Sequence, residues 1–60
     1  MKYTVHVIDA NGNRLTSEVR SSWEEMSHYA RFAFDRLVKS QGISVYDDQG
    51  NHLETVMKYG

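Results

Sequence analysis

Apolar and polar residues alternate near both ends of the chain and recur at helical spacing in its middle. Tyr3, Val5 and Val7 alternate with Lys2, Thr4 and His6, the period of two that marks a half-buried strand. The run Asp9-Ala10-Asn11-Gly12-Asn13 follows. Asp first and Gly fourth suit a type I turn closed by a glycine bulge, because the bulge residue needs positive φ. A second strand then runs from about Arg14 to Arg20, with Leu15 and Val19 expected on one face.

The period changes at Ser21-Ser22-Trp23-Glu24-Glu25. Ser22 with Glu25 three residues on forms a capping box, and Ser21 with Glu24 would serve equally. The acidic pair complements the positive end of the helix dipole, and Lys39 is expected to complement the other end. Met26, Ala30, Ala33 and Leu37 recur on one helical stripe, flanked by Trp23, Tyr29 and Phe34. The helix is expected to stop near Ser40, with Gly42 as its left-handed cap.

The last third repeats the first. Ile43 and Val45 alternate with Ser44 and Tyr46, Asp47-Asp48-Gln49-Gly50-Asn51 turns the chain, and Leu53, Thr55 and Met57 share one face of a final strand. Val7, Asp9, Gly12, Asn13 and Leu15 recur as Val45, Asp47, Gly50, Asn51 and Leu53, an offset of 38 residues (45 − 7). Val5 with Ile43, Ser17 with Thr55 and Val19 with Met57 keep the same offset. Turn chemistry alone places Asp and Gly in such slots, so convergence is the plainer account of the match and duplication of a hairpin the sharper alternative.

These elements predict one α+β domain over residues 1–60, ordered ββαββ. Two antiparallel hairpins form one four-stranded sheet, with a single helix packed on one face. The inner face is expected to carry Tyr3, Val5, Val7, Leu15, Val19, Ile43, Val45, Leu53 and Met57, with the small polar Ser17 and Thr55 among them. The outer face then presents Lys2, Thr4, His6, Ile8, Arg14, Thr16, Glu18, Arg20, Ser44, Tyr46, His52, Glu54, Val56 and Lys58. That is four basic residues against two acidic.

Sixty residues make a chain that buries only about 60% of its unfolded surface, so the core is small. Cysteine is absent, which removes disulfides and thiolate metal sites. Efficient packing or association with another chain is left to compensate. A net charge of −1 without same-sign runs argues against a polybasic or acidic tail. No apolar stretch approaches the roughly 20 residues that cross a bilayer. The alternating start MKYTVHVID does not read as a signal peptide, so the expected compartment is cytoplasmic, with no membrane partner.

Catalytic chemistry finds no foothold. The Asp9–Asn13 turn cannot be a calcium loop, since its glycine is misplaced and position twelve would be Arg20. The three histidines lack the i, i+4 spacing of a helical metal site. His6 and His52, both expected on the outer face, could approach each other across strands, but such surface pairs are more often incidental. Glu24 and Glu25 project in different directions, a phosphate-cradling loop is absent, and a one-helix sheet leaves little room for a cleft. The expectation is a non-enzyme without metal or cofactor.

Two binding surfaces remain. Phe32 lies away from the apolar helix stripe, among Glu25, His28, Tyr29 and Arg36. An apolar ring in water is unfavourable, and aromatics with arginine dominate interface hot spots. His28, Tyr29, Phe32 and Arg36 are therefore the expected partner-binding patch, the alternative being a ring shielded by Tyr29 or Arg36. The leading functional expectation is a small protein-binding module, inhibitor or antitoxin-like, that docks on a partner protein. In size and layout the chain resembles small accessory proteins of phages and mobile elements, which often dock onto a host enzyme. A second copy of the chain is a further candidate partner. The rival expectation is a nucleic-acid-binding regulator using Lys2, His6, Arg14, Arg20, Tyr46 and Lys58 on the outer sheet face.

Overall fold

The computed structural model describes residues 1–59. Its strands are β1 (Tyr3–Ile8), β2 (Arg14–Arg20), β3 (Gly42–Tyr46) and β4 (His52–Met57), with helix α1 (Trp23–Asp35) between the hairpins. All neighbouring strands are antiparallel, in the order β2-β1-β3-β4. The fold is ββαββ, as the hydrophobic pattern predicts. Val5, Met26, Ala30, Ile43 and Val45 form its core, with Tyr3, Val7, Tyr29, Phe34 and Leu37 packed around them.

Both turns form as their residues dictate. Gly12 and Gly50 stand at φ 84° and 86°, and each amide donates back to the turn's first aspartate carbonyl, at 3.0 and 3.2 Å. Each aspartate side chain also accepts from two turn amides. Asp9 Oδ1 takes Asn11 and Asn13, both at 2.9 Å, and Asp47 Oδ1 takes Gln49 at 2.9 Å and Asn51 at 2.8 Å.

A second irregularity follows each turn. Between Val7 and Ile8 the partner jumps from Thr16 to Arg14, and between Val45 and Tyr46 it jumps from Glu54 to His52. Leu15 and Leu53 are thus the extra residues of two equivalent β-bulges. A bulge adds one residue to one strand, and one residue of shift exchanges the faces of everything beyond it. This overturns the expected inner face of β2 and β4. Val19 pairs with Thr4 and Ser17 with His6, while Met57 pairs with Gly42 and Thr55 with Ser44. All lie on the face away from the helix. Thr16, Glu18, Arg20, Glu54 and Val56, expected outside, share the helix side with Val7, Val5, Tyr3, Val45 and Ile43.

The helix begins as its capping box predicts. Ser22 is the N-cap, and its Oγ accepts the Glu25 amide at 3.1 Å. Its end differs from expectation. The helix stops at Asp35 with Arg36 as C-cap, not near Ser40, and its last turn carries no basic residue. The cation at that end is Lys58, arriving from β4, whose Nζ donates to the carbonyls of Phe34 at 3.1 Å and Asp35 at 3.2 Å. Ser40, at φ 72°, takes the left-handed conformation expected of Gly42. Gly42 is instead a strand residue whose missing Cβ makes room for Met57. A Cβ there would lie 2.5 Å from Met57 Sδ and 2.6 Å from the Val56 carbonyl oxygen.

The two hairpins are related by a local two-fold axis through the sheet. In the β1–β3 ladder, Val5 pairs with Val45 and Val7 with Ile43; advancing Val5 and Val7 by 38 residues gives Ile43 and Val45, so each pair maps onto the other. The helix breaks this symmetry. It contacts β1, β2 and β3 but not β4, so the inner face is roofed over three strands and open along β4.

Candidate functional site

The open side holds an apolar groove of about 320 Å³ between α1 and β4. Its floor is Ile43 and Val45, its helix wall is Trp23, Met26, Ser27 and Ala30, and its far wall is Leu53, Glu54 and Val56. Trp23 stands here because the Ser22 cap makes it the first residue of the helix. Its ring meets Tyr3 edge-on, at 5.4 Å and 81°, and is still 55% exposed. Leu53 is turned into the groove by the bulge it forms. Exposed Trp23 from α1 thus converges with Leu53 and Val56 from β4, two stretches well apart in sequence. Glu54 is the groove's charged side chain, and among the described residues the only ion pair is Arg20 with Glu18, so Glu54 has none.

The helix patch expected from sequence is present on the opposite flank of α1. His28, Tyr29 and Phe32 border a shallow depression with Arg20, Glu24 and Glu25. Phe32 is 55% exposed, and the Arg36 guanidinium lies over its ring at 4.3 Å. Tyr29 is half-buried and is covered by Arg20 at 4.4 Å. The shielding contact and the exposed aromatic therefore coexist at Phe32.

The outer face is less basic than the alternation suggests. Arg20 and Lys58 belong to the helix side, one on Tyr29 and the other on the helix end. Lys2, His6 and Tyr46 line an open hollow with Thr4 and Val19, rimmed by Asp47 and Asp48. Arg14 faces this side too, near enough to His6 for its charge to act on the imidazole. His6 and His52 do not meet. The Tyr46 ring stands between them, with centroids 4.8 Å from His6 and 5.4 Å from His52.

Beside that row runs a short polar relay. His52 Nε2 shares a 2.6 Å hydrogen bond with Thr55 Oγ1, which shares another of 2.7 Å with Ser44 Oγ. Ser44 is only 4% exposed although no helix covers it. His6 has its pKa lowered, first by partial burial and then by the Arg14 charge, so its imidazole is held towards the neutral form. Among the described residues no three His, Cys, Asp or Glu side chains gather in a metal-holding group, and no helix is long and apolar enough to cross a membrane.

The sequence pointed to the Phe32 patch through its position on the helical wheel. The groove was hidden, because its far wall depends on the bulge at Leu53 and its opening on where the helix lies. No known protein family, curated protein or solved structure matches the chain.

Proposed function

We propose that this chain is a small non-enzymatic protein-binding module whose groove between α1 and β4 receives an amphipathic helix of a partner protein. One observation carries the reading: the sheet repeats itself about a two-fold axis, yet α1 reaches β2, β1 and β3 and leaves β4 uncovered. The symmetry-related position, above β4, has the buried Ile43 and Val45 beneath it and the exposed Leu53 and Val56 along its wall, an apolar lining that suits a second helix. Ser27 and Ala30 on the flank of α1 are small enough to let two helix axes approach closely. A helix with a stripe of large aliphatic or aromatic residues would bury Trp23, Leu53 and Val56, and a basic residue at its edge would meet Glu54. Antitoxin-like or inhibitory docking on an enzyme is one use of such a surface.

Nucleic-acid binding draws less support. Two of its six expected contacts, Arg20 and Lys58, are on the other side of the sheet, and Asp47 and Asp48 rim the remaining hollow. The test is capture of a partner from lysate by the tagged chain, washed at low and high salt with and without nuclease. It is repeated with Val56→Glu and with Phe32→Ala. A stoichiometric protein that survives nuclease and is lost only with Val56→Glu is the expected result. Undiminished capture by Val56→Glu sinks the groove reading. A ligand that nuclease or salt removes, leaving no protein, returns the function to nucleic acid through counterion release.

A further inference from the structure

We infer that β2 is the interface for a second copy of this chain, joined edge to edge about a two-fold axis at Val19. The surface is separate from the groove, so this inference does not depend on the docking proposal. β2 is an unpaired sheet edge without proline or lysine, and every residue but Arg20 is exposed. Such an edge is a template for another strand. In an antiparallel ladder, backbone groups point alternately towards one neighbour and the other. Val19 is a residue that points outward: its carbonyl accepts from the Arg20 guanidinium at 2.9 Å. The Lys58 amide bonds the Gln41 carbonyl at 2.7 Å, the two-fold equivalent of Arg20 bonding Tyr3, which turns the Arg20 backbone to β1 and that of Val19 away.

Charge then selects the register. With Val19 opposite Val19 of the second copy, Glu18 faces Arg20 of that copy and Arg20 faces its Glu18. Both pairs fall at the non-hydrogen-bonded positions, where side chains come closest. A shift of two residues one way sets Glu18 against Glu18, and the other way sets Arg20 against Arg20. A shift of one residue matches outward groups with inward ones. Of these registers only the one centred on Val19 is both hydrogen-bonded and complementary, and it pairs Glu18 with Arg20 of the two strands. On pairing, Arg20 gives up the Val19 carbonyl to the Val19 amide of the second copy and turns to the Glu18 across the axis.

The helix patch supports the same contact. The half-buried Tyr29 and the exposed Phe32 border Arg20 on the helix side of the sheet, so two copies joined at Val19 bring the Phe32 rings towards one another above the strands. The dimer would leave both grooves free at its far ends. It would also add buried surface to a domain whose own core is small.

The test uses charge exchange and reads mass by light scattering, with circular dichroism to confirm folding. The wild-type chain is expected to show twice its single-chain mass at high concentration. Glu18→Arg and Arg20→Glu are each expected to be folded monomers, because each places like charges across the axis. Mixed together they are expected to form a heterodimer. One variant then presents two arginines to the axis and the other presents two glutamates, so both cross-axis pairs are again opposite in charge. The double variant, Glu18→Arg with Arg20→Glu, is expected to dimerise like wild type. Val19→Pro, which removes an outward amide and spares the β1 ladder, is expected to be monomeric. A wild-type chain that stays monomeric at every concentration overturns the inference. So does a mixture of the two single variants that fails to associate.

Discussion

The Lys58 ammonium lies 3.1 Å from the Phe34 carbonyl oxygen, so the residue that follows β4 holds the C-terminal end of α1. The two are 24 residues apart in sequence. The free carbonyls at a helix C-terminus carry partial negative charge and need donors. Lys58 supplies two bonds there, and its own backbone closes the adjoining segment through Gln41 at 2.7 Å and Ser40 at 2.9 Å. Lys58→Met keeps the aliphatic stem and removes the charge. It is expected to cost about 1 kcal/mol, below the usual range for charged hydrogen bonds because the site is partly exposed. A urea midpoint equal to that of wild type would show the ammonium to be idle.

Gly42 and Gly12 should respond to alanine for different reasons. At Gly42 the added methyl meets the Val56 carbonyl oxygen at 2.6 Å, a backbone atom that cannot move without disturbing the β3–β4 ladder. The expected loss is about 1–3 kcal/mol, the range for overpacking. At Gly12 no atom lies within 4 Å of the added methyl, and the cost comes from φ 84° alone, about 1 kcal/mol. Thermal unfolding of the two variants separates these outcomes. Asparagine, which tolerates the left-handed region, should recover stability at Gly12 and not at Gly42.

Acid should loosen both hairpins together. Asp9 and Asp47 have their pKa values lowered, chiefly by the backbone amides of Asn13 and Asn51 that donate to them. The folded chain therefore binds these protons less readily than the unfolded chain. The stabilisation is present above the ordinary value of 3.8 and is lost as pH falls through the lower folded values. Stability measured down this acid limb should decline less steeply in Asp9→Asn with Asp47→Asn. An identical slope in that double variant would place the acid response elsewhere.

Thr55 is the middle of the relay between His52 and Ser44, bonded to both at 2.6 and 2.7 Å. Thr55→Val preserves shape and strand preference but leaves the buried Ser44 hydroxyl without its partner. The expected cost is about 1–3 kcal/mol, that of an unsatisfied buried polar group. Thr55→Ser keeps the hydroxyl and should cost less. If valine proves as stable as threonine, Ser44 is satisfied by water at the open face.

Much of the architecture is legible in the chain, and the reasons are local. The turns were readable because positive φ needs glycine and an aspartate side chain can take two following amides. Ser22 and Glu25 marked the helix start because the first amides of a helix need an acceptor nearby. Tyr3, Val5, Val7, Ile43 and Val45 were placed on the correct face because the central strands alternate without interruption. The position of Phe32 on the wheel was enough to mark it as exposed.

Other features depend on partners distant in sequence. Val19 and Met57 alternate with their neighbours as core residues do, yet they face outward. The bulges at Leu15 and Leu53 leave no mark in composition, and one added residue reverses every side chain beyond it. The helix end was misplaced because its last carbonyls are met by Lys58 from the far end of the chain. Gly42 looked like a cap because its need to lack a side chain arises only once Met57 lies across it. The sequence by itself determined the order of elements, both turns and the helix start, since these are set by interactions within a few residues. Tertiary structure alone decided which faces the outer strands present, where the helix stops and which strand of the sheet stays uncovered. Those depend on register and on where one helix comes to rest, and neither is encoded in any single stretch of the chain.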